Sequence, residues 1–248
     1  MGAIRENNMK PISGFKITTA DVIAYPAQGT NRATISGLTT GEYNIAIEAN
    51  GFVGESRKVY VDSDMEIQFV LSRANLLTDP RDGQTYRTVL MPDGRVWMAE
   101  NLNYNQLGSV NNPDYGDIYG RLYTWEQAMS AATGLDGWRV PTDAEWQTLI
   151  DACGGVNVAG GKLKSTSGWY NNGNGTDDYN FSALPGGHGY GGKFYYFGSH
   201  GFWWSATESG SNYGANAWTR STVYNLEYVN RTDSGKSSMF SLRLIKHN

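Results

Sequence analysis

Gly201-Phe-Trp-Trp-Ser-Ala-Thr-Glu208 opens, and Ser238-Met-Phe-Ser-Leu-Arg-Leu-Ile-Lys246 closes, the stretch whose reading decides the fold. Phe202, Trp203, Trp204, Trp218, Phe240, Leu242 and Leu244 are its apolar anchors. Between them run Ser209-Gly-Ser-Asn-Tyr213, Thr219-Arg-Ser-Thr-Val-Tyr-Asn225 and Thr232-Asp-Ser234, which mix small, polar and aromatic residues. Fixed apolar posts with free polar filling describe a scaffold that presents a surface. Binding loops use the same composition, because Tyr supplies rigid contact area while Ser, Asn and Gly adapt. Solvated hairpins on a β-rich domain have it too, so composition leaves both readings open.

Outward from this stretch, aromatic placement divides the chain. All eight tryptophans lie at or after Trp97, and only three of the sixteen tyrosines precede residue 75. The front third is a Thr, Ile, Val and Ala sequence with short alternating runs. A chain of 248 residues has room for two domains with ample cores. A net charge of −4 without a basic block makes nucleic acid and anionic membranes poor partners. The single cysteine, Cys153, excludes an internal disulfide and a thiolate zinc cluster. His188, His200 and His247 have no metal-ligand spacing, and no cofactor is expected. No apolar run reaches the roughly 18 residues of a membrane span. The segment Met1-Gly-Ala-Ile-Arg-Glu-Asn-Asn8 has no apolar stretch and is not a signal peptide as it stands. Two expectations follow for it, a cytoplasmic start or a start placed after a removed signal.

Residues 1–73 read as a small β-sandwich. Asp21–Tyr25, Arg32–Ile35, Tyr43–Ala49, Lys58–Val61 and Glu66–Leu71 are short strands, several alternating with a period of two. The polar Ser72-Arg-Ala-Asn75 reads as a short linker, with 74–78 as the linker between domains and 79–248 as a second domain. There, Tyr86–Leu90 and Arg95–Ala99 form a hairpin about Met91-Pro-Asp-Gly94. Asn101–Tyr119 reads as loop. Thr124-Trp-Glu-Gln127 has the spacing of a capping box, starting a helix over Trp125–Ala132 that Gly134 stops. A second box, Thr142 with Glu145, stapled by Pro141 and Trp146, starts a helix that ends near Gly154-Gly155. Asn171–Asp178 and Gly186–Gly192 read as glycine-rich loops.

Three resemblances enter on these residues. Gly37-Leu-Thr-Thr-Gly-Glu-Tyr43 and the strand after it resemble a hairpin of carboxypeptidase-regulatory-like, immunoglobulin-like modules, which implies a spacer or stalk. Gly137-Trp-Arg-Val-Pro-Thr-Asp-Ala-Glu-Trp146 resembles the helix entry of the C-type-lectin-like fold in formylglycine-generating enzymes. The wider pattern is similar to the Fibrobacter succinogenes major paralogous domain. Its landmarks are Asp82–Tyr86, Trp97–Leu102, Gly120–Trp125, Trp138–Thr142, Phe181–Gly187 and Trp203–Glu208, within residues 79–246. That family overlaps with the hypervariable proteins of diversity-generating retroelements. The resemblance therefore implies an α+β C-type-lectin-like domain after an all-β immunoglobulin-like one, with C-terminal hairpins that display variable positions.

On that reading Trp203, Trp204, Trp218, Arg220, Phe240 and Leu242 are scaffold. Ligand contacts fall to Ser209, Ser211, Asn212, Tyr213, Thr219, Ser221, Val223, Asn225, Glu227, Tyr228, Thr232, Asp233, Ser237 and Ser238. Thr219, Ser221 and Val223 follow from a period of two that turns Trp218 inward and its neighbours outward. Glu227 and Met239 are not products of adenine mutagenesis of Asn-type codons, which counts against retroelement targeting at those two sites. The ligand expected is a macromolecule or glycan at a cell surface, met outside the cell or on a bacterial outer surface. Catalysis is not expected. The late copper-binding cysteine pair of formylglycine-generating enzymes is absent, Cys153 reads as a small buried side chain, and Glu145 is explained by its cap. Asp177 and Asp178 form a weak calcium candidate, but the sugar-selecting triplets of calcium-dependent lectins are absent. Gly186–Gly192 precedes no helix and carries no Lys-Ser/Thr, so it is not a phosphate cradle. Two other functions remain open, a subunit of a pilus or cell-surface assembly and a degenerate formylglycine-generating-type enzyme.

Overall fold

Ile45 and Ile47 are buried while Glu42 and Asn44 are exposed, and this period of two makes strands of the front of the chain. The computed structural model describes residues 2–6, 15–19, 22–26, 32–49, 55–71 and 75–247. Their Cα positions fall into two units, Met1–Asn75 and Leu76–Asn248. The first unit holds β1 (Gly2–Glu6), β2 (Phe15–Thr19), β3 (Val22–Ala24), β4 (Arg32–Ala33), β5 (Gly41–Ala49), β6 (Glu55–Val61) and β7 (Phe69–Leu71). One sheet has the order β4-β1-β7, with β1 antiparallel to β4 and parallel to β7; the other is an antiparallel β3-β2-β5-β6. Ile17, Ala33, Ile45, Ile47 and Phe69 form the core. The turn into β5 needs Gly37 at φ 80°, and the Tyr43 hydroxyl donates to Thr39 O at 2.9 Å across it. Asp21 and Ser72–Ala74, parts of an expected strand and linker, lie outside the described residues.

The second unit begins with a correction. Within the expected linker 74–78, Asn75–Thr78 is a strand (β8) at the edge of a five-stranded sheet. Leu77 packs on the core while Leu76 is exposed, the alternation of an edge strand. Next come β9 (Thr85–Leu90), β10 (Val96–Met98), α1 (Gly116–Tyr119), α2 (Trp125–Ala132), β11 (Trp138–Arg139), α3 (Asp143–Ala152) and α4 (Ala159–Leu163). The chain continues with β12 (His188–Tyr190), β13 (Lys193–Tyr195), β14 (His200–Glu208), β15 (Asn216–Val223), β16 (Asn230–Gly235) and β17 (Ile245–Lys246). The five-stranded order is β11-β17-β10-β9-β8, and β14-β15-β16 make a second sheet.

Local chemistry explains the element ends. Asp93 closes the β9–β10 turn, accepting from Arg95 N at 3.0 Å and Trp97 Nε1 at 3.1 Å. Both capping boxes form: Thr124 with Gln127 starts α2, and Thr142 with Glu145 starts α3. Arg139 also grips Glu145, and with the Thr142 donors it pulls that carboxyl down to about 2 although burial opposes the shift. Two stretches expected as loop contain structure. Asn101–Tyr119 ends in α1, and Gly186–Gly192 contributes β12 to a hairpin whose turn, Gly191-Gly192, has φ 58° and 74°. None of the helices among the described residues is long and apolar enough to cross a membrane.

Candidate ligand-binding surface

Trp203 and Trp204 are consecutive on β14, so they point to opposite faces, and both faces are covered. Trp203 packs with Trp146 of α3 and donates Nε1–H to Asn101 Oδ1 at 2.9 Å. Trp204 packs with Phe240 on the side of α2 and donates to Tyr123 O at 2.8 Å. Residues of β15 inherit these faces. Arg220, opposite Trp203, is buried and donates to Asp143 Oδ1 at 2.6 Å and Gln147 Oε1 at 3.0 Å. Burial lowers its pKa while Asp143 holds the charge. Arg231 of β16 donates to the other Asp143 oxygen at 2.9 Å, its guanidinium 3.4 Å over the Trp218 ring.

This double cover corrects two expected contacts. Thr219, opposite Trp204, is 0% exposed and donates to Thr232 O at 3.0 Å; Ser221, opposite Phe202, is 4% exposed. The alternation along β15 is real, but the face assigned to solvent is packed. Trp218, expected inside, is half-buried beneath Arg231. Trp203, Trp204, Arg220, Phe240 and Leu242 are buried.

The other expected contacts separate to the two ends of β15, whose eight residues at about 3.4 Å per step span roughly 24 Å. Ser209, Ser211, Asn212, Tyr213, Asp233, Ser237 and Ser238 gather at its start, with Thr232 exposed nearby on β16. Asp233 organises this end. Its Oδ2 accepts from Ser209 Oγ at 2.9 Å, from Asn216 Nδ2 at 3.2 Å and from Ser211 Oγ in a very short bond. These donors, Ser211 first, hold its carboxyl below the usual range. The loop they tie down carries Asn212 at φ 49° and Tyr213 at φ 54°, and the Tyr213 side chain is fully exposed.

Val223, Asn225, Glu227 and Tyr228 occupy the other end. Asn225 and Glu227 are exposed; Val223 and Tyr228 are half-buried. Here the backbone is held from beneath. The buried Lys164 donates Nζ–H to Gly173 O and Tyr224 O, both at 2.9 Å, and to Val223 O at 3.3 Å. Burial lowers its pKa. Gly160 of α4 passes so close that a Cβ would meet Glu227 O and Tyr228 O at 2.6 Å.

Cys153 is buried, and burial pushes its thiol up to about 11. Asp177 accepts from Ser182 N at 2.7 Å and Ser182 Oγ at 2.6 Å, so both carboxylate oxygens serve the loop, and Asp178 is exposed. Among the described residues, no group of three or more His, Cys, Asp or Glu side chains could hold a metal. Sequence reading passed over Arg243, whose fully buried guanidinium links Asn101 Oδ1 at 2.9 Å, Ser182 O at 2.6 Å and Phe181 O in a short bond. Burial pushes it down to about 9. It also passed over Lys164, because the partners of both side chains are mostly backbone carbonyls, which carry no residue-type signal in the sequence.

Architecture and surface together describe a β-rich protein with few helices, whose packed sheet carries different chemistry at each end. A family model, that of the Fibrobacter succinogenes major domain, matches residues 93–246, more than half of the chain, and the chain belongs to that family. A comparison with curated proteins gave no match.

Proposed function

We propose that this chain is a non-enzymatic ligand-binding protein of a bacterial outer surface or the extracellular space. In this reading the second unit is a C-type-lectin-like head and the first an immunoglobulin-like stalk. The ligand is a macromolecule or glycan, met at the start of β15. One observation carries the reading: the Asp233 network anchors a loop that holds Tyr213 in the left-handed region with its whole side chain in solvent. An exposed aromatic on a tethered backbone is the usual shape of an interface anchor, because little freedom remains to be lost on binding. Asn212, Thr232 and Ser237 surround it as adaptable polar groups, while Thr219 and Ser221 support from within. Retroelement diversification is the narrower form of this proposal, and it excludes Glu227 and Met239 from the diversified set.

The test pairs binding with stability. The full chain is screened on a glycan array and in a bacterial-surface pull-down, beside a Tyr213→Ala, Asn212→Gly variant. Binding should fall about tenfold or more with an unchanged melt, since exposed substitutions stay within about 0.5 kcal/mol. Retained binding by the variant sinks the reading.

A further inference from the structure

The far end of the sheet, where His200 pairs with Val223, carries an aromatic surface unrelated to the Tyr213 loop. Tyr115, Tyr119 and Phe197 have nearly parallel rings, within 19–23°, with centroids 5.7, 5.9 and 6.2 Å apart. Their planes are nearly parallel and their centroids offset, so the rings make a slipped stack in which Tyr119 is buried and Tyr115 reaches solvent. Next to Phe197 in sequence, Tyr196 lies 4.6 Å from His200, His200 stacks on Phe202 at 5.7 Å, and Phe202 on Phe240 at 5.3 Å. This series roots the surface in the core. His188 stacks on Tyr195 at 5.2 Å and contacts Tyr196 at 5.6 Å.

These rings are rooted yet open: Tyr115 is 44% exposed, Tyr195 40% and Tyr196 56%. Tyr196 is kept at φ 61°, a region that bulky residues avoid, and its carbonyl accepts from Ser199 N, Ser199 Oγ and His200 N at 3.0–3.1 Å. Tyr170, 61% exposed, joins the same end. Its N–H bonds Gly198 O at 2.7 Å, and its ring meets Tyr224 edge-on. Backbone held in an unfavourable region at a solvent-facing aromatic points to use rather than packing.

Its charge is as telling as its shape. Residues 165–176 contain no charged side chain, and 185–204 contain only Lys193, at the start of β13. Burial lowers the pKa of both His188 and His200, leaving them neutral at pH 7. Asp114 and Asp117 stand at the margin beside Tyr115, and Ile118 is its one exposed aliphatic. A protein interface favours arginine beside its aromatic anchors and places polar and charged groups at its rim, and this surface offers little charge for either. Flat, uncharged, electron-rich rings suit the weakly positive C–H face of a sugar ring. The exposed Asn171 and Asn172 supply amides for hydroxyl groups.

We propose that this shelf, centred on Tyr115 and Tyr196, is a second binding site that takes an uncharged polysaccharide by stacking on the C–H faces of its rings. Affinity electrophoresis of the full chain tests it, in gels containing hydroxyethylcellulose, xylan, galactomannan, mixed-linkage β-glucan or amylopectin, with alginate and polygalacturonate as charged controls. At least one neutral gel should retard the chain. A Tyr115→Ala, Tyr196→Asn variant should bind that polymer about tenfold more weakly, Asn being chosen because it tolerates the left-handed backbone. Should that variant melt early, Tyr115→Ala and Tyr170→Ala, which leave the Tyr196 turn alone, must show the loss instead. Tyr213→Ala should bind like the parent. No retardation by any neutral polymer, retardation by the charged ones only, or equal retardation of the shelf variants would overturn the proposal. Loss confined to Tyr213→Ala would also overturn it and leave the loop reading standing.

Discussion

The two ends of β15 solve the same problem by different means. At the Asn216 end the loop is tied by hydroxyl and amide side chains converging on one solvent-facing carboxylate, Asp233. At the Val223 end, the backbone is tied from below by a buried ammonium, Lys164, and walled by aromatic rings. Ties in water are weak and exchangeable; ties under cover are strong, because a broken one strands a buried acceptor. The first end therefore tolerates sequence change cheaply, and the second does not.

Five variants break or sharpen that contrast. Trp204→Ala empties volume beneath both ends and should cost about 3–5 kcal/mol in denaturant unfolding. A smaller loss with one end selectively loosened would mean the ends are not built on a common core. Lys164→Met should cost about 2–4 kcal/mol, because the carbonyls of Gly173, Val223 and Tyr224 lose their donor. Amide exchange should speed up over 223–229 and stay unchanged over 209–215. Equal loosening at both ends would erase the contrast.

Thr142→Ala removes a helix cap remote from either end and should cost about 1 kcal/mol without local effects on the loops. The same cap sets an acid limit. Because Glu145 is depressed from 4.5 to about 2, its contribution is complete above pH 4.5 and is lost as pH falls toward 2. Melts recorded across that window should slope less in Glu145→Gln than in the parent. Asp233→Asn is the mildest change. Melting should not move, while exchange at Asn212 and Tyr213 accelerates, and acidification should free the parent loop similarly, since the donors favour the ionised form. A shifted melt would show that the exposed network supports the core after all.

What could be read from sequence was local. Thr124 with Gln127, and Thr142 with Glu145, are three residues apart, and both boxes form where spacing placed them. The turn at Pro92-Asp-Gly94 and the strands of the front unit are equally short-range. Thr219 and Ser221 went astray for a physical reason: a period of two tells which residues share a face, not whether that face meets water. Only the placement of α3 and of Phe240 on opposite sides of the sheet decides that. The contact set split because loops at opposite ends of an eight-residue strand look adjacent in sequence. The aromatic shelf was invisible for the converse reason, since it assembles Tyr115, Tyr170 and Tyr196 from three separate loops.

One topological detail bears on how the second unit comes into being. β17, at Ile245–Lys246, lies inside its sheet, between β10 and β11, and Trp97 pairs with Ile245. That sheet begins at Asn75, so its middle stays open until the ribosome has made almost everything described here. Closing so long a segment is slow, and the unfinished sheet exposes unpaired edges meanwhile. Synthesis of this chain should thus present a late, aggregation-exposed intermediate until Ile245 arrives, and loss of the last few described residues should be far more damaging than their number suggests.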